Sequence, residues 1–274
     1  MKIGSLFSGI GGLELGLERA IPGAHTVFQV EQDSYARRVL AKHWPNARRY
    51  EDVRQVGAHN LPACDLLCGG FPCQDISVAG KQAGIDGARS GLWSEYARII
   101  GELTPLGLRV VVVENVAALR HGGMGRVLGD LAACGYDAIW DCIPAAAVGA
   151  PHRRDRLFIV AWAVSDTDSQ PVPTVRGQRA ITEGKGSDGA TLRIRRNGDA
   201  ERQAPIRSTG QLARAFRRAL AESREPWAPE STMDRVADGV PRRVDRLRCL
   251  GNAVVPQVAE VVGRVVLQLA GGAP

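Results

Sequence analysis

Cys73 is the residue with the most obvious chemistry. It stands in Gly69-Gly70-Phe71-Pro72-Cys73-Gln74, after an apolar run and a double glycine, with Pro72 stiffening the backbone before it. A cysteine at a strand end in an open α/β sheet faces the crevice where such sheets bind ligands. A thiolate there can attack an electron-poor carbon. The other five cysteines read as small packing residues. Cys64 and Cys68 are close, but no histidines or second pair complete a zinc set. Glu114-Asn115-Val116 closes another apolar run. That carboxylate either moves a proton or caps a helix. Arg153, Arg154 and Arg156 precede the strand-like Leu157–Val164. They either neutralise developing negative charge or form salt bridges at a strand entry. Phe7-Ser8-Gly9-Ile10-Gly11-Gly12 joins a strand to a helix, and Glu31 follows about 20 residues on, where a carboxylate can bind ribose hydroxyls. The pair suggests a nucleoside cofactor; NAD and S-adenosylmethionine satisfy the same logic.

Alternating elements position these groups. Strands are predicted at Lys2–Phe7, His25–Val30, Asp65–Cys68, Leu108–Val113, Tyr136–Ile143 and Leu157–Val164. Helices are predicted after Gly12, at Ser34–His43 with Ser34 as N-cap, at Trp93–Leu103 and at Gly125–Cys134. Leu108–Val113 is an apolar, β-branched run, as a strand buried on both faces should be. Alternation over residues 1–164 predicts an α/β fold with a doubly wound, mostly parallel sheet. Residues 163–215 contain no Phe, Trp or Tyr before Phe216 and are rich in Gly, Ser, Thr, Asp and Arg. An amphipathic helix is predicted at Gln211–Ala221, and an apolar helix at Ala253–Leu269 with Asn252 as its N-cap. Three segments follow: a catalytic and cofactor-binding domain over 1–164, a small, partly irregular domain over 165–248, and a C-terminal helix over 249–274 that returns to the first.

The 274 residues are 45% apolar and 23% charged, enough to bury a large core. The start has no signal-peptide layout, no apolar run nears the ~20 residues of a membrane span, and the cysteines read as reduced intracellular thiols. Net charge is +6, and residues 165–250 hold 17 Lys/Arg against 12 Asp/Glu. Nearly all the excess is arginine, whose planar fork suits phosphates and guanine edges.

In this order, the motifs resemble the DNA (cytosine-5) methyltransferase family: Phe-x-Gly-x-Gly-Gly, Glu31, Asp52-Val53, Pro-Cys-Gln, Glu-Asn-Val, the paired arginines, and Gly251-Asn252-Ala253-Val254. The resemblance covers residues 1–164 and 249–270. His152 stands where the family usually has glutamine, and Arg235–Arg248 occupies the place of its arginine-threonine motif. The short intervening segment resembles that of orphan or phage-type members. The resemblance implies a Rossmann-like S-adenosylmethionine-dependent fold with a small target recognition domain. It makes Cys73 the nucleophile that adds to cytosine C6, Glu114 the proton partner of N3, and Arg154, less directly Arg156, the group that binds O2 or braces the glutamate. It lines the S-adenosyl-L-methionine pocket with Phe7, Ser8, Gly9, Ile10, Gly11, Gly12, Glu31, Asp52, Val53, Gly70, Pro72, Leu92, Asn252 and Val254. Asp52 would accept from the adenine amine.

The implied substrate is a flipped-out cytosine in double-stranded DNA. Ser77, Lys81 and Arg89, within a glycine-punctuated stretch from Gln74 to Leu92, would meet phosphates as a lid closes. Arg193, Arg195 and Arg196 would read DNA from the small domain. A monomer in the cytoplasm, associated with the nucleoid, with a restriction endonuclease as companion and no metal, completes the expectation. A transfer-RNA methyltransferase on the same scaffold usually carries a Cys-Phe-Thr element, and no cysteine lies between Cys142 and Cys249. A nicotinamide-dependent dehydrogenase leaves Pro72-Cys73-Gln74 and Glu114-Asn115-Val116 without a role. A catalytically silent DNA-binding relative would have no need of intact Cys73, Glu114 and Arg154.

Overall fold

The structure, a computed structural model, describes residues 1–72, 92–164 and 242–270. Cys73, Ser77, Lys81, Arg89, Arg193, Arg195, Arg196, the rest of the glycine-punctuated stretch up to Gly91 and the helix expected at Gln211–Ala221 lie outside those residues.

Among the described residues, seven strands form one sheet: β1 (Lys2–Leu6), β2 (His25–Val30), β3 (Arg48–Tyr50), β4 (Leu66–Gly69), β5 (Val110–Val116), β6 (Tyr136–Pro144) and β7 (Asp155–Ala163). Their order is β3-β2-β1-β4-β5-β7-β6. Every neighbouring pair from β3 to β5 is parallel; β7 runs antiparallel between β5 and β6. The expected doubly wound sheet is present, with one reversed strand. That reversal brings the start of β7, with its arginines, to the same edge as the carboxyl ends of β1, β2, β4 and β5. Gly69 follows from close strand packing, because a Cβ there would collide with the Leu6 carbonyl on β1.

Helices α1 (Gly12–Ala20), α2 (Ser34–His43), α3 (Leu92–Leu103), α4 (Met124–Ala133), α5 (Arg243–Asn252) and α6 (Pro256–Ala270) accompany the sheet. Both faces are covered. One core joins Phe28, Leu67, Val111 and Ile159 to Trp93, Tyr96 and Ile99 of α3 and to Val127 and Leu131 of α4. The other joins Ile3, Cys68, Val112 and Val160 to Leu13 and Leu17 of α1 and to Val258, Val262 and Val266 of α6. Val110–Val113 are buried, as their β-branched run predicts.

Three local expectations are corrected. The cap of α2 is Asp33, not Ser34: its carboxylate accepts from the N–H groups of Tyr35 and Ala36 at 2.8 and 2.9 Å. β3 was not expected, because three residues with exposed or half-buried side chains carry no periodicity. Asn252 does not cap the last helix. It ends α5, and α6 starts at Pro256, a residue suited to a helix's first turn.

By length and composition, Arg243–Leu269 could cross a membrane. It is instead two helices broken at Ala253–Val255, and the second buries Val258, Val261, Val262, Val265 and Val266 in the core. α6 reaches α1 over glycines: a Cβ on Gly12 would strike the Val254 carbonyl, and one on Gly16 the Pro256 carbonyl.

Candidate active site

The glycine loop leaves β1 through a left-handed turn, with positive φ at Phe7, Gly9 and Gly11. At Gly11 a side chain is excluded twice over, since φ is +87° and a Cβ would collide with the Trp44 ring. A Cβ on Gly9 would meet nothing within 4 Å, so this side of the loop faces open space. α1 begins at Gly12 with no side-chain cap, so its first N–H groups can receive an anionic ligand group. Glu31, just past the end of β2, binds the loop directly: Gly9 N–H donates to Oε2 and Asp33 N–H to Oε1, both at 2.7 Å. The Glu31 N–H donates to the Tyr50 carbonyl at 3.0 Å, which sets the end of β3 beside it.

Just beyond β3, Asp52 is already engaged. The Arg54 guanidinium grips it from Nε and Nη2, at 2.9 and 2.7 Å. That hydrogen bond holds the Asp52 carboxyl below its ordinary pKa. An adenine amine would share this carboxylate with Arg54, a residue with no motif to single it out in the sequence. Val53 is buried beside it. Val254 closes over Gly12 from the other side, whereas Asn252 is exposed. Phe7 packs against Tyr96, with ring centroids 6.2 Å apart, and Leu92 begins α3 against the same core.

Beside this loop lie Gly70, Phe71 and Pro72, which lead from β4 to Cys73. Asn115, buried on β5, donates from Nδ2 to the Phe71 carbonyl at 3.1 Å, and its Oδ1 accepts from Val116 N–H at 2.8 Å. The Phe71 ring packs on Trp93 at 5.3 Å. The backbone one step before Pro72 is therefore anchored from both sides. Asn115 is visible in the Glu-Asn-Val triplet, but nothing in the sequence shows which backbone group it holds.

Glu114 lies near the end of β5. Its Oε1 pairs with Arg156 Nε at 3.1 Å. Only 14% of its side chain is accessible. Burial raises its pKa to about 7, and the nearby Arg156 and Arg154 charges only partly oppose this. The carboxyl can thus carry a proton near neutrality and pass it to a ligand. Gly70 is required beside it, because a Cβ there would sit 2.4 Å from Glu114 Oε2.

The two arginines have different partners. Arg156 braces Glu114. Arg154, at φ 37°, donates from Nη1 and Nη2 to the carbonyls of Gly251 and Ala253, both at 2.7 Å. It fastens the start of β7 to the α5–α6 junction, and burial lowers its pKa. The sequence could not separate them, because both stand in one short basic run.

Residues 1–196 match the sequence pattern of the family described as C-5 cytosine-specific DNA methylase. The chain belongs to that family. The type II methyltransferase M2.BsuMI of Bacillus subtilis is 36% identical over 171 residues, 61% of this chain and 43% of that protein. The type II methyltransferase M.HhaI of Haemophilus parahaemolyticus is 33% identical over 161 residues, 57% of this chain and 47% of that protein. The chain thus spans less than half the length of these curated relatives. A solved Entamoeba histolytica methyltransferase shares the fold over 98% of both chains, with a TM-score of 0.62 at 12% identity. A solved prophage-encoded protein from E. coli, assigned as a DNA modification methyltransferase, covers 99% of both chains with a TM-score of 0.60 at 19% identity.

Proposed function

We propose that the protein transfers a methyl group from S-adenosyl-L-methionine to C5 of a cytosine flipped out of double-stranded DNA. The observation that carries this is the neutral-prone Glu114, paired with Arg156 and set against Gly70 in the segment leading to Cys73. Cys73 Sγ, as thiolate, forms a bond to C6 and pushes electron density toward N3. Glu114 delivers its proton to N3, leaving C5 nucleophilic, and Arg156 steadies the carboxylate so formed. The cofactor supplies an electrophilic methyl group on a sulfonium sulfur. A base then takes the C5 proton, the C6–S bond breaks, Cys73 departs as thiolate and N3 returns its proton to Glu114.

The glycine loop fits such a cofactor. Its open side at Gly9, the uncapped start of α1 and the Glu31 carboxylate meet at one strand edge. Phe7, Ser8, Gly9, Ile10, Gly11, Gly12, Glu31, Asp52, Val53, Gly70, Pro72, Leu92 and Val254 would hold it. Asn252, exposed at the end of α5, would join them. Residues 165–248 serve as the target recognition domain, and Ser77, Lys81 and Arg89 meet phosphates. The relatives' names as type II methyltransferases favour DNA over transfer RNA as substrate and a restriction endonuclease as companion. Such a protein acts as a monomer in the cytoplasm, associated with the nucleoid.

Sequencing 5-methylcytosine in DNA from cells expressing the wild type and Cys73→Ala tests this reading. Methylation at a defined site, lost in the variant, is expected. In vitro, 5-fluorocytosine DNA should trap the wild type covalently through Cys73, because fluorine cannot leave as a proton does. An adduct on another cysteine, or methylated DNA from Cys73→Ala, would refute the assignment.

A further inference from the structure

A second carboxyl group, outside the reaction just described, lies beneath the glycine loop. Glu14 is in the first turn of α1 and is fully buried. Neither of its oxygens has a partner in hydrogen-bonding geometry, and neither has the amide of Gln29, also fully buried on β2. Four buried polar atoms without partners in one place are unusual, since such groups are nearly always satisfied. Ser5 on β1 and Ser8 in the loop complete the cluster, with Ser8 Oγ donating to Ser5 Oγ at 2.8 Å. The hydroxyls of Ser5 and Ser8 and the Gln29 amide all lie close enough to act on the Glu14 carboxyl. Ser8 is also the pivot of the loop: its N–H donates to the Val30 carbonyl at 3.1 Å, and its own carbonyl accepts from Gly11 N–H at 3.0 Å.

We infer that Glu14 is a positioning residue for cofactor binding: as a neutral acid beside Gln29 it leaves the Ser8–Ser5 hydrogen bond intact under Phe7–Gly12, and loss of its proton loosens the loop. The inference rests on the cofactor reading given above. The physical reason is desolvation. A carboxylate in this place must draw the Ser5 and Ser8 hydroxyls toward itself, and that breaks the Ser8–Ser5 hydrogen bond tying the loop to β1. A ligand seated on the loop excludes water further, so it binds the neutral form better.

Burial raises the Glu14 pKa to about 7, with the nearby polar groups of Ser5, Ser8 and Gln29 opposing. Among the described residues, no cation acts on it to offset the cost. On β4 the Cys68 thiol faces it, held neutral chiefly by burial. Glu18, on the same helix, accepts from Thr26 and Trp44. From α6, Glu260 is spent on Arg19 at 3.2 Å.

The test is calorimetric titration of the full-length protein with S-adenosylhomocysteine, which lacks the sulfonium charge, between pH 5.5 and 8. Wild-type Kd should rise about tenfold through pH 7, the change that one pKa unit of coupling gives. Glu14→Gln should bind at every pH as tightly as the wild type does at low pH. Ser8→Ala should flatten the wild-type profile and supplies the comparison if Glu14→Gln does not fold. A flat wild-type profile with tight binding, or an unchanged slope in Glu14→Gln, overturns the inference and leaves the cofactor reading standing. No binding at any pH overturns both.

Discussion

Gly70→Ala should silence the site while sparing the fold. The Cβ would sit 2.4 Å from Glu114 Oε2, where ordinary van der Waals separation begins at 3.4 Å, so the carboxyl group has to retreat by about 1 Å. The atom displaced is the end of a side chain rather than backbone, so folding should lose only about 1 kcal/mol. Gly70 has no positive φ, so the backbone adds no strain. Chemistry is less forgiving. A displacement of about 1 Å at a reacting group costs on the order of 10²-fold in rate. The Arg156 pair at 3.1 Å would be stretched by the same movement. Single-turnover transfer of labelled methyl to duplex DNA reads the rate, and thermal denaturation reads the fold. The expected result is a rate down about 10²-fold with a melting temperature shifted by only a few degrees. Turnover within about threefold of wild type would show that the Glu114 position is not what governs the reaction, and the reasoning would fail.

Glu114→Gln should lower turnover by ~10²-fold or more, the scale of a lost general acid, measured by the same assay. Its effect on stability depends on pH: the carboxyl titrates near 4.5 when unfolded and about 7 when folded, so its contribution is intact below 4.5 and lost as pH rises through 7. Urea denaturation should therefore find Glu114→Gln close to wild type at pH 5 and more stable by a few kcal/mol at pH 8. Asp33→Ala removes both cap bonds of α2 and one of the two carboxylates that Arg248 Nη2 meets, and should cost about 1 kcal/mol in the same experiment, with most of it restored by Asp33→Asn. Neutralising Arg193, Arg195 and Arg196 together should weaken DNA binding and shallow its salt dependence, by about 0.9 in slope for each phosphate they neutralise, without changing cofactor affinity; an unchanged slope in a filter-binding titration would exclude them from the phosphate interface.

Much of this protein is written in local pattern. Val110–Val113 announce a strand buried on both sides because branched side chains leave no polar face to turn outward. The Phe7–Gly12 loop and Glu31 declare their partnership because glycine spacing and a strand-end carboxylate are short-range features. So is the Glu-Asn-Val triplet. The reversal of β7 is different. Nothing in Asp155–Ala163 marks its direction, since a strand buried on both faces reads alike either way. Tertiary pairing with β5 decided it, and so decided that Arg156 rather than Arg154 reaches Glu114. The two arginines flank Asp155, yet Arg156 sits within the ladder and Arg154 before it, in a left-handed backbone conformation that sends its side chain elsewhere. The same holds for Asn252, whose helix end is set by packing of Gly12 and Gly16 against Val254 and Pro256. Glu14 was the least legible of all: a charged residue in a helix's first turn ordinarily faces water and favours the dipole. Only the packing of α1 on the sheet buried that face and left a carboxyl group among Ser5, Ser8 and Gln29. Sequence periodicity specifies which residues go inward, but the chemical state of a buried group depends on neighbours that come from distant parts of the chain.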